Sequence, residues 1–471
     1  MASNQLPIQV HGLVDLTSLG LANTCFRFGF LTLESEKYIC IRDEGQDGSP
    51  QVVVIELQNN NNITRRAMKA EAAIMNPIHN IIALKAKNES SGGHFVQVYN
   101  LESRQKLKTH DFPEQIVYWR WLTPSKLAVV TATSVYHWPM EGAENPRKIF
   151  DRSAPLDGAS AQIINYTTDD AEKWCLLTAI STPDGGKTIN GHMQLYYTEG
   201  GVQQILEGHA GCFGELPLGE SGKSVTAFSF IEKKASEGVS RIHLMEINKP
   251  VQGQKFKATN ELVYPPEAPN DFPVAMHMIP SFGVITMITK LGFLYLFEAT
   301  GGHLIYRTRL CEDTIFVTAR STSKDTVLGV NRRGHVIGIS VNAENIVGFI
   351  MNVCRHIPDA PNVGFKLAQK YSLPGADELF TQQFNRLLAG GDIRGAARVA
   401  AAAPGQSLRN QETISRLRTL PQQPGQPHPM MLYFGTILET DKLNRLEALE
   451  ITRPLLQQGR KNIFENWLQE D

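Results

Sequence analysis

The sequence is short of cysteine, of net charge and of long apolar runs, and each shortage removes a class of protein. Six cysteines in 471 residues, at 25, 40, 175, 212, 311 and 354, contain no C-x-x-C pair and form no Cys/His set with zinc spacing. That argues against a disulfide scaffold or a structural zinc, and for reduced, partly buried thiols. A formal net charge of −1 provides no global field to draw nucleic acid or an acidic membrane surface. No apolar run approaches the about 18 residues of a membrane span. The opening MASNQLPIQVHG has neither the basic nor the apolar stretch of a secretory signal, so the expected location is cytoplasmic, and the N-x-[ST] triplets at Asn62, Asn88 and Asn165 are read as accidental.

Catalytic signatures are also missing. There is no G-x-S-x-G, HExxH or paired-carboxylate motif. Gly222-Lys223-Ser224 resembles the end of a phosphate-binding loop, but the first glycine of that motif would fall at Pro217. The VTAFSFIE that follows reads as a strand, where the motif needs a helix N-terminus. No catalytic residue, metal or cofactor is expected, although an enzyme whose groups converge from distant parts of the fold stays open as a reading.

What is present is a strand signature that returns seven times: QVVVIELQN (from Gln51), VQVYNLES (Val96), SVYHWPMEG (Ser134), HMQLYYTEG (His192), RIHLMEIN (Arg241), GFLYLFEATG (Gly292) and GHVIGISVN (Gly334). Each is a short β-branched and aromatic run with partial alternation, and starts lie about 38 to 58 residues apart, close to one four-stranded propeller blade. More apolar runs precede several copies: NIIALKA (80–86), KLAVVTAT (126–133), KWCLLTAI (173–180), VITMITK (284–290) and TVLGVNR (326–332). An apolar strand followed by a half-exposed one across a short turn is a propeller hairpin.

Near residue 342 the pattern changes. Ile346, Phe349, Ile350 and Val353 recur at helical spacing, and further helices are expected at about 361–371, 376–389, 392–402, 409–419, 430–438, 441–456 and 459–469. Asp392 and Asp441 are expected to cap their helices, and 421–429 to form an exposed loop. The predicted architecture is an all-β seven-bladed β-propeller over residues 1–342, then an α-helical zigzag or solenoid linker over 343–471.

One cluster suits binding. Gln97 and Tyr99 face away from Val96 and Val98, with Phe95 nearby. Arg104, Lys106 and Lys108 follow at spacing two, so an extended backbone would aim all three the same way. The preceding repeat offers Arg65, Arg66 and Met68, and Ile82 begins the strand between. Apolar pockets flanked by cations suit an extended peptide with alternating apolar residues and an acidic end. The residues alone leave a second reading open, in which the cations are a solvated edge that resists aggregation.

The stretches AAIMNPIHNIIALKA (72–86), VQVYNLESRQKLKTH (96–110), VYHWPMEG (135–142), QIINYTTDDAEKW (162–174), EGHA (207–210), PPEAPNDFPVAM (265–276) and RPLLQQGRK (453–461) closely resemble the clathrin heavy chain family. The resemblance runs from the N-terminus through the helical part. It implies a terminal propeller plus the start of the helical linker leading to a solenoid leg. Three such legs join in the family's vesicle coat, light chains bind the assembled heavy chains, and the propeller captures short linear motifs of adaptor and accessory proteins. Membranes are then met only through those adaptors, at the cytoplasmic face of coated pits and vesicles.

Residue by residue, the resemblance assigns a clathrin-box groove to Gln97, Tyr99, Arg104 and Lys106, walled by Phe95, Ile82, Met68 and Arg66. Arg104 stands where the family usually has Lys, and Phe95 where it has a small polar residue. A top site for a Trp-containing motif matches Phe28, Gln162 and Ile164. A later-blade site matches Trp174, Leu195 and Gln204, but Gly200 stands where Arg is usual. A purely architectural propeller–solenoid without peptide binding is the alternative.

Overall fold

The computed structural model describes residues 5–457 except 46–47, 159, 183–188, 218–223, 234–238, 248–257, 324, 423–426 and 440, with the backbone alone at 454–457. The expected helix at 459–469 and the Gly222-Lys223 pair therefore lie outside the described residues. The chain divides into two compact units, Ile8–Val341 and a helical unit made of Met1–Pro7 with Asn342–Asp471.

The first unit is a β-propeller. It opens with β1 (Ile8–Asp15). The first sheet is β2 (Leu31–Leu33), β3 (Tyr38–Glu44), β4 (Pro50–Glu56) and β5 (Asn62–Ala67). The second is β6 (Ala72–Met75), β7 (Ile81–Lys87), β8 (His94–Asn100) and β9 (Gln105–Phe112). The third is β10 (Ile116–Thr123), β11 (Lys126–Thr131), β12 (Ser134–Pro139) and β13 (Arg147–Asp151). Then come β14 (Gln162–Thr168), β15 (Trp174–Ser181), β16 (Asn190–Tyr197), β17 (Val202–Leu216), β18 (Val225–Lys233), β19 (Ser240–Glu246) and β20 (Ala258–Leu262) as one seven-stranded sheet. A further sheet is β21 (Pro273–Ile279), β22 (Val284–Thr289), β23 (Phe293–Glu298) and β24 (Leu304–Arg309). The last is β25 (Ile315–Arg320), β26 (Thr326–Asn331) and β27 (His335–Val341), completed by β1 on its outer edge.

The described strands thus form five separate four-stranded blades, not the seven expected. The remaining strands are fused because β17 is continuous: Val202–Glu207 pair with β16 and Gly208–Leu216 with β18. One strand serves two partners in succession, and no break in the sequence marks the exchange.

The seven signature copies form β4, β8, β12, β16, β19, β23 and β27, and the apolar runs before them form β7, β11, β15, β22 and β26. Their alternation is only partial because neighbouring sheets cover both faces; β22 and β23 are buried at every position. Polar alternation survives on outer strands such as β9. Apolar clusters fill the gaps between neighbouring sheets, each fully buried Val, Leu, Ile or Phe contributing about 1.5–3 kcal/mol.

The second unit holds α1 (Ala343–Val353), α2 (Ala360–Tyr371), α3 (Asp377–Ala389), α4 (Ile393–Ala402), α5 (Gln411–Thr419), α6 (Pro429–Leu438) and α7 (Arg445–Gln457). Asp392 caps α4, its carboxylate accepting from the Gly395 N–H at 2.8 Å. Asp441 does not cap α7. Asn444 does, accepting from the Glu447 N–H at 3.0 Å while the Glu447 carboxylate accepts from the Asn444 N–H at 2.9 Å, a reciprocal capping box. Asp441 instead pairs with Arg409. Pro429, expected in the loop, is the first residue of α6, where its missing N–H costs nothing.

Arg409 is fully buried. Its Nε and Nη2 donate to Glu447, also fully buried, at 3.0 and 2.6 Å, and Nη2 donates to the Lys442 carbonyl at 2.6 Å. The segment before α5 is thereby clipped to the start of α7.

Candidate peptide-binding surfaces

Residues facing each other across an antiparallel pair share a face of the sheet, so register decides which side chains meet. Val52 and Val54 of β4 pack with Ala73, Met75 and Ile82 of the second sheet and with Leu101 just after β8 in one inter-sheet cluster, and Met68, Leu84 and Tyr99 lie partly buried against it. Arg66 is opposite Val52 in register, so it projects to this side. Its half-buried guanidinium has an Nε shielded from solvent and without a hydrogen-bond partner in the protein. Tyr99 lies opposite Ile82, and Gln97 opposite Leu84. The Tyr99 hydroxyl donates to Gln97 Oε1 at 2.9 Å. Phe95, two residues before Gln97 on β8, shares that face and is half-buried.

Arg66, Met68, Ile82, Phe95, Gln97 and Tyr99 therefore share one face between the first two sheets. Ile82 is fully buried and forms its floor. Leu84, within the apolar run NIIALKA (80–86), belongs with them; its place two residues after Ile82 on one strand is the signal for it in the sequence.

The cations do not line up as spacing alone predicts. Register shifts between Val98 and Tyr99, which pair with Lys108 and Lys106. This bulge turns Lys106 to the face of Tyr99 and Lys108 to the opposite face. There the Lys108 ammonium donates to the carbonyls of Pro139, Glu141 and Glu144 at 2.6, 3.3 and 3.2 Å, and burial lowers its pKa. Arg104 lies in the β8–β9 turn at φ 54°, exposed beside the groove. Arg65 faces away, opposite Val53, and donates to the Leu19 carbonyl.

The other two groups behave differently. Phe28 is 41 % exposed and stacks near Tyr118, ring centroids 6.4 Å apart. With Ile164, which sits in a bulge of β14, it lines a cavity of about 170 Å³ at one end of the channel between the sheets. Gln162 is exposed at the start of the same strand. Trp174 and Leu195 are buried in an apolar cluster with Phe228 and Phe230; Trp174 packs on Tyr197 at 4.8 Å. Gln204 is exposed and lies opposite Leu195 in register, so of these three it alone offers an accessible side chain.

No group of three or more His, Cys, Asp or Glu able to hold a metal occurs among the described residues, and no described helix is long and apolar enough to cross a membrane. Burial raises the thiols of Cys40, Cys175 and Cys212 to about 12, so they are unreactive at neutral pH.

Residues 372–437 match the family model described as Clathrin-H-link. The chain is 40 % identical over 468 residues to clathrin heavy chain 2 of Homo sapiens, covering 99 % of this chain and 28 % of that protein. It is 40 % identical to the clathrin heavy chain of Dictyostelium discoideum and 39 % identical to that of Drosophila melanogaster, over 99 % of this chain and 27 % of each relative. It thus spans about a quarter of the length of the curated relatives it matches.

Proposed function

Because the chain belongs to the clathrin heavy chain family, as a fragment like its N-terminal domain, we propose that it is the motif-reading end of a vesicle-coat subunit. It is structural, not enzymatic. The face between the first two sheets takes an extended peptide of the type Leu-apolar-x-apolar-acid. Met68, Leu84 and Phe95 receive apolar side chains over the buried Ile82, Gln97 bonds peptide backbone, and Arg66, Arg104 and Lys106 attract the acidic end.

The observation that carries this reading is Arg66. Its shielded, unpartnered Nε stands on the same face as Lys106 and beside an apolar floor. An unsatisfied buried donor costs about 1–3 kcal/mol, and a ligand acceptor removes that cost. Phe28, Gln162 and Ile164 form a second site for an aromatic motif, while the Trp174, Leu195 and Gln204 region contributes chiefly through Gln204.

Each motif buries few side chains, so single affinities fall in roughly the micromolar to sub-millimolar range, and several sites per coat raise avidity by about 10²–10⁴. The partners are adaptor and accessory proteins and, in the full-length protein, other heavy chains and light chains, at the cytoplasmic face of coated pits and vesicles. The propeller has seven blades in this reading, β17 serving as the outer strand of one and the inner strand of the next, and the helical unit starts the leg.

The test is titration of a labelled Leu-apolar-x-apolar-acid peptide into the wild-type chain and a Gln97→Ala/Lys106→Glu variant. Saturable binding lost in the folded variant supports the groove. Equal binding by both moves the function to another surface, and no binding by either favours a purely architectural role.

A further inference from the structure

The channel between the innermost strands has a second end. Toward Phe28 it is lined by Leu31, Val117 and Ile164 together with polar groups that include Lys85. Past Glu34, Arg120, Asn165, Met276 and His277, which line both ends, it continues into a cavity of about 240 Å³ that Arg320 and Thr322 also line. Two guanidiniums share this cavity. Arg120 donates through Nη1 to Asn165 Oδ1 at 3.0 Å and the Tyr166 carbonyl at 3.3 Å, and Arg320 donates to the Met278 carbonyl at 3.2 Å. All three acceptors are neutral.

Among the described lining residues, Glu34 is the one carboxyl group. Burial pushes it up to about 7, with Arg120 and the Trp121 N–H opposing. One carboxyl group, ionised or not, cannot balance both guanidiniums. His277, bonded to Thr318 Oγ1 at 3.0 Å, is held down to about 3 by burial and then by Arg320 and Arg120, so it adds no charge of its own. Burial lowers the pKa of Arg320, with Cys212 and Asp170, the latter from outside the lining, opposing and Arg120 lowering it further.

Like charges gathered in one confined cavity are costly unless an opposite charge joins them. Planar guanidinium forks match the oxygens of phosphate, with two parallel bonds from each. A carboxyl group that carries its proton near neutrality can itself donate to an anion.

We propose that this end of the channel is a binding site for a phosphate-type oxyanion, either free phosphate or a phosphoryl group on a small polyol, held between Arg120 and Arg320. It is independent of the peptide groove, which lies on the other side of the first two sheets' innermost strands.

Isothermal titration of the whole chain at low salt, with inorganic phosphate and separately with inositol hexakisphosphate, tests this. Saturation by phosphate assigns the free ion; saturation by the hexakisphosphate alone assigns the carried group. In either case Arg320→Gln should weaken binding about 10- to 100-fold, with near-ultraviolet circular dichroism unchanged, and Arg320→Lys should recover part of the loss. Arg120→Gln should act in the same direction. Should that variant fail to fold because Asn165 and Tyr166 lose their partner, the Arg320 pair decides. Equal affinity in wild type and folded Arg320→Gln, or no saturable binding of either probe, overturns the proposal.

Discussion

Replacing Arg409 with methionine should release α7 from the helical unit. The guanidinium and the Glu447 carboxylate are both fully buried and joined by bonds of 3.0 and 2.6 Å. Methionine fills much of the space but leaves a buried carboxylate with its main counter-charge gone. Breaking one side of such a pair costs about 3–5 kcal/mol. The chain has two units, so a global unfolding midpoint mixes them; amide hydrogen exchange in α7 reads the local opening directly. At about 1.4 kcal/mol per decade, protection there should fall by roughly two to three and a half decades while α1 and α2 change little. The double variant Arg409→Met/Glu447→Leu removes both charges and should recover most of the protection, because a buried pair exchanged for apolar residues is often neutral or better. Unchanged protection in Arg409→Met, or a double variant as exposed as the single one, would refute the reasoning that an uncompensated buried charge sets the cost.

Other outcomes follow from the same geometry. Lys106→Glu should weaken an acidic-ended peptide about ten-fold or more. Lys108→Glu should change affinity less than about three-fold and instead lower stability by roughly 1–3 kcal/mol, since that ammonium holds three carbonyls on the far face; titration and thermal unfolding separate the two. Leu195→Ala should cost about 2–5 kcal/mol by urea unfolding, as a core truncation, against little for Gln204→Ala. Glu172 is bonded by His137 and by Lys126 at 2.7 Å, which lowers its carboxyl to about 2 against an opposing burial penalty. A carboxyl depressed in the folded state stabilises above its unfolded pKa and loses that stabilisation as pH falls. Glu172→Gln should thus lose about 1–2 kcal/mol at pH 7 after screening, and the gap to wild type should close between about pH 4.5 and 2 in pH-dependent unfolding.

The repeating strand and the change to helices were legible because periodicity reports burial of one face. The sequence located the third strands well, since β-branched runs ending in Asn or Gly mark them. It located innermost strands poorly: β6 is only four residues, Ala72–Met75, too short for a pattern. The fusion through β17 was hidden because changing partners needs no change of backbone conformation. At the groove, side-chain types on β8 were readable from alternation, but the separation of Lys106 from Lys108 was not, because a bulge is a property of the pair of strands and not of either alone. Asp441 was misread for a related reason: its partner, Arg409, is 32 residues away, beyond any local capping signal.

The outer edge of the last sheet is supplied by β1, paired from Ile8 opposite Val341 to Asp15 opposite His335. The propeller's first strand is therefore paired with its last. At about 5–20 residues per second, β1 waits roughly 15 to 70 s for its partner to be made, its hydrogen-bonding groups unpaired and open to strangers. A nascent chain halted before β27 is thus a propeller with a gap and a loose strand, a form that chaperones should hold preferentially and that finishing one seven-residue strand converts to a closed ring.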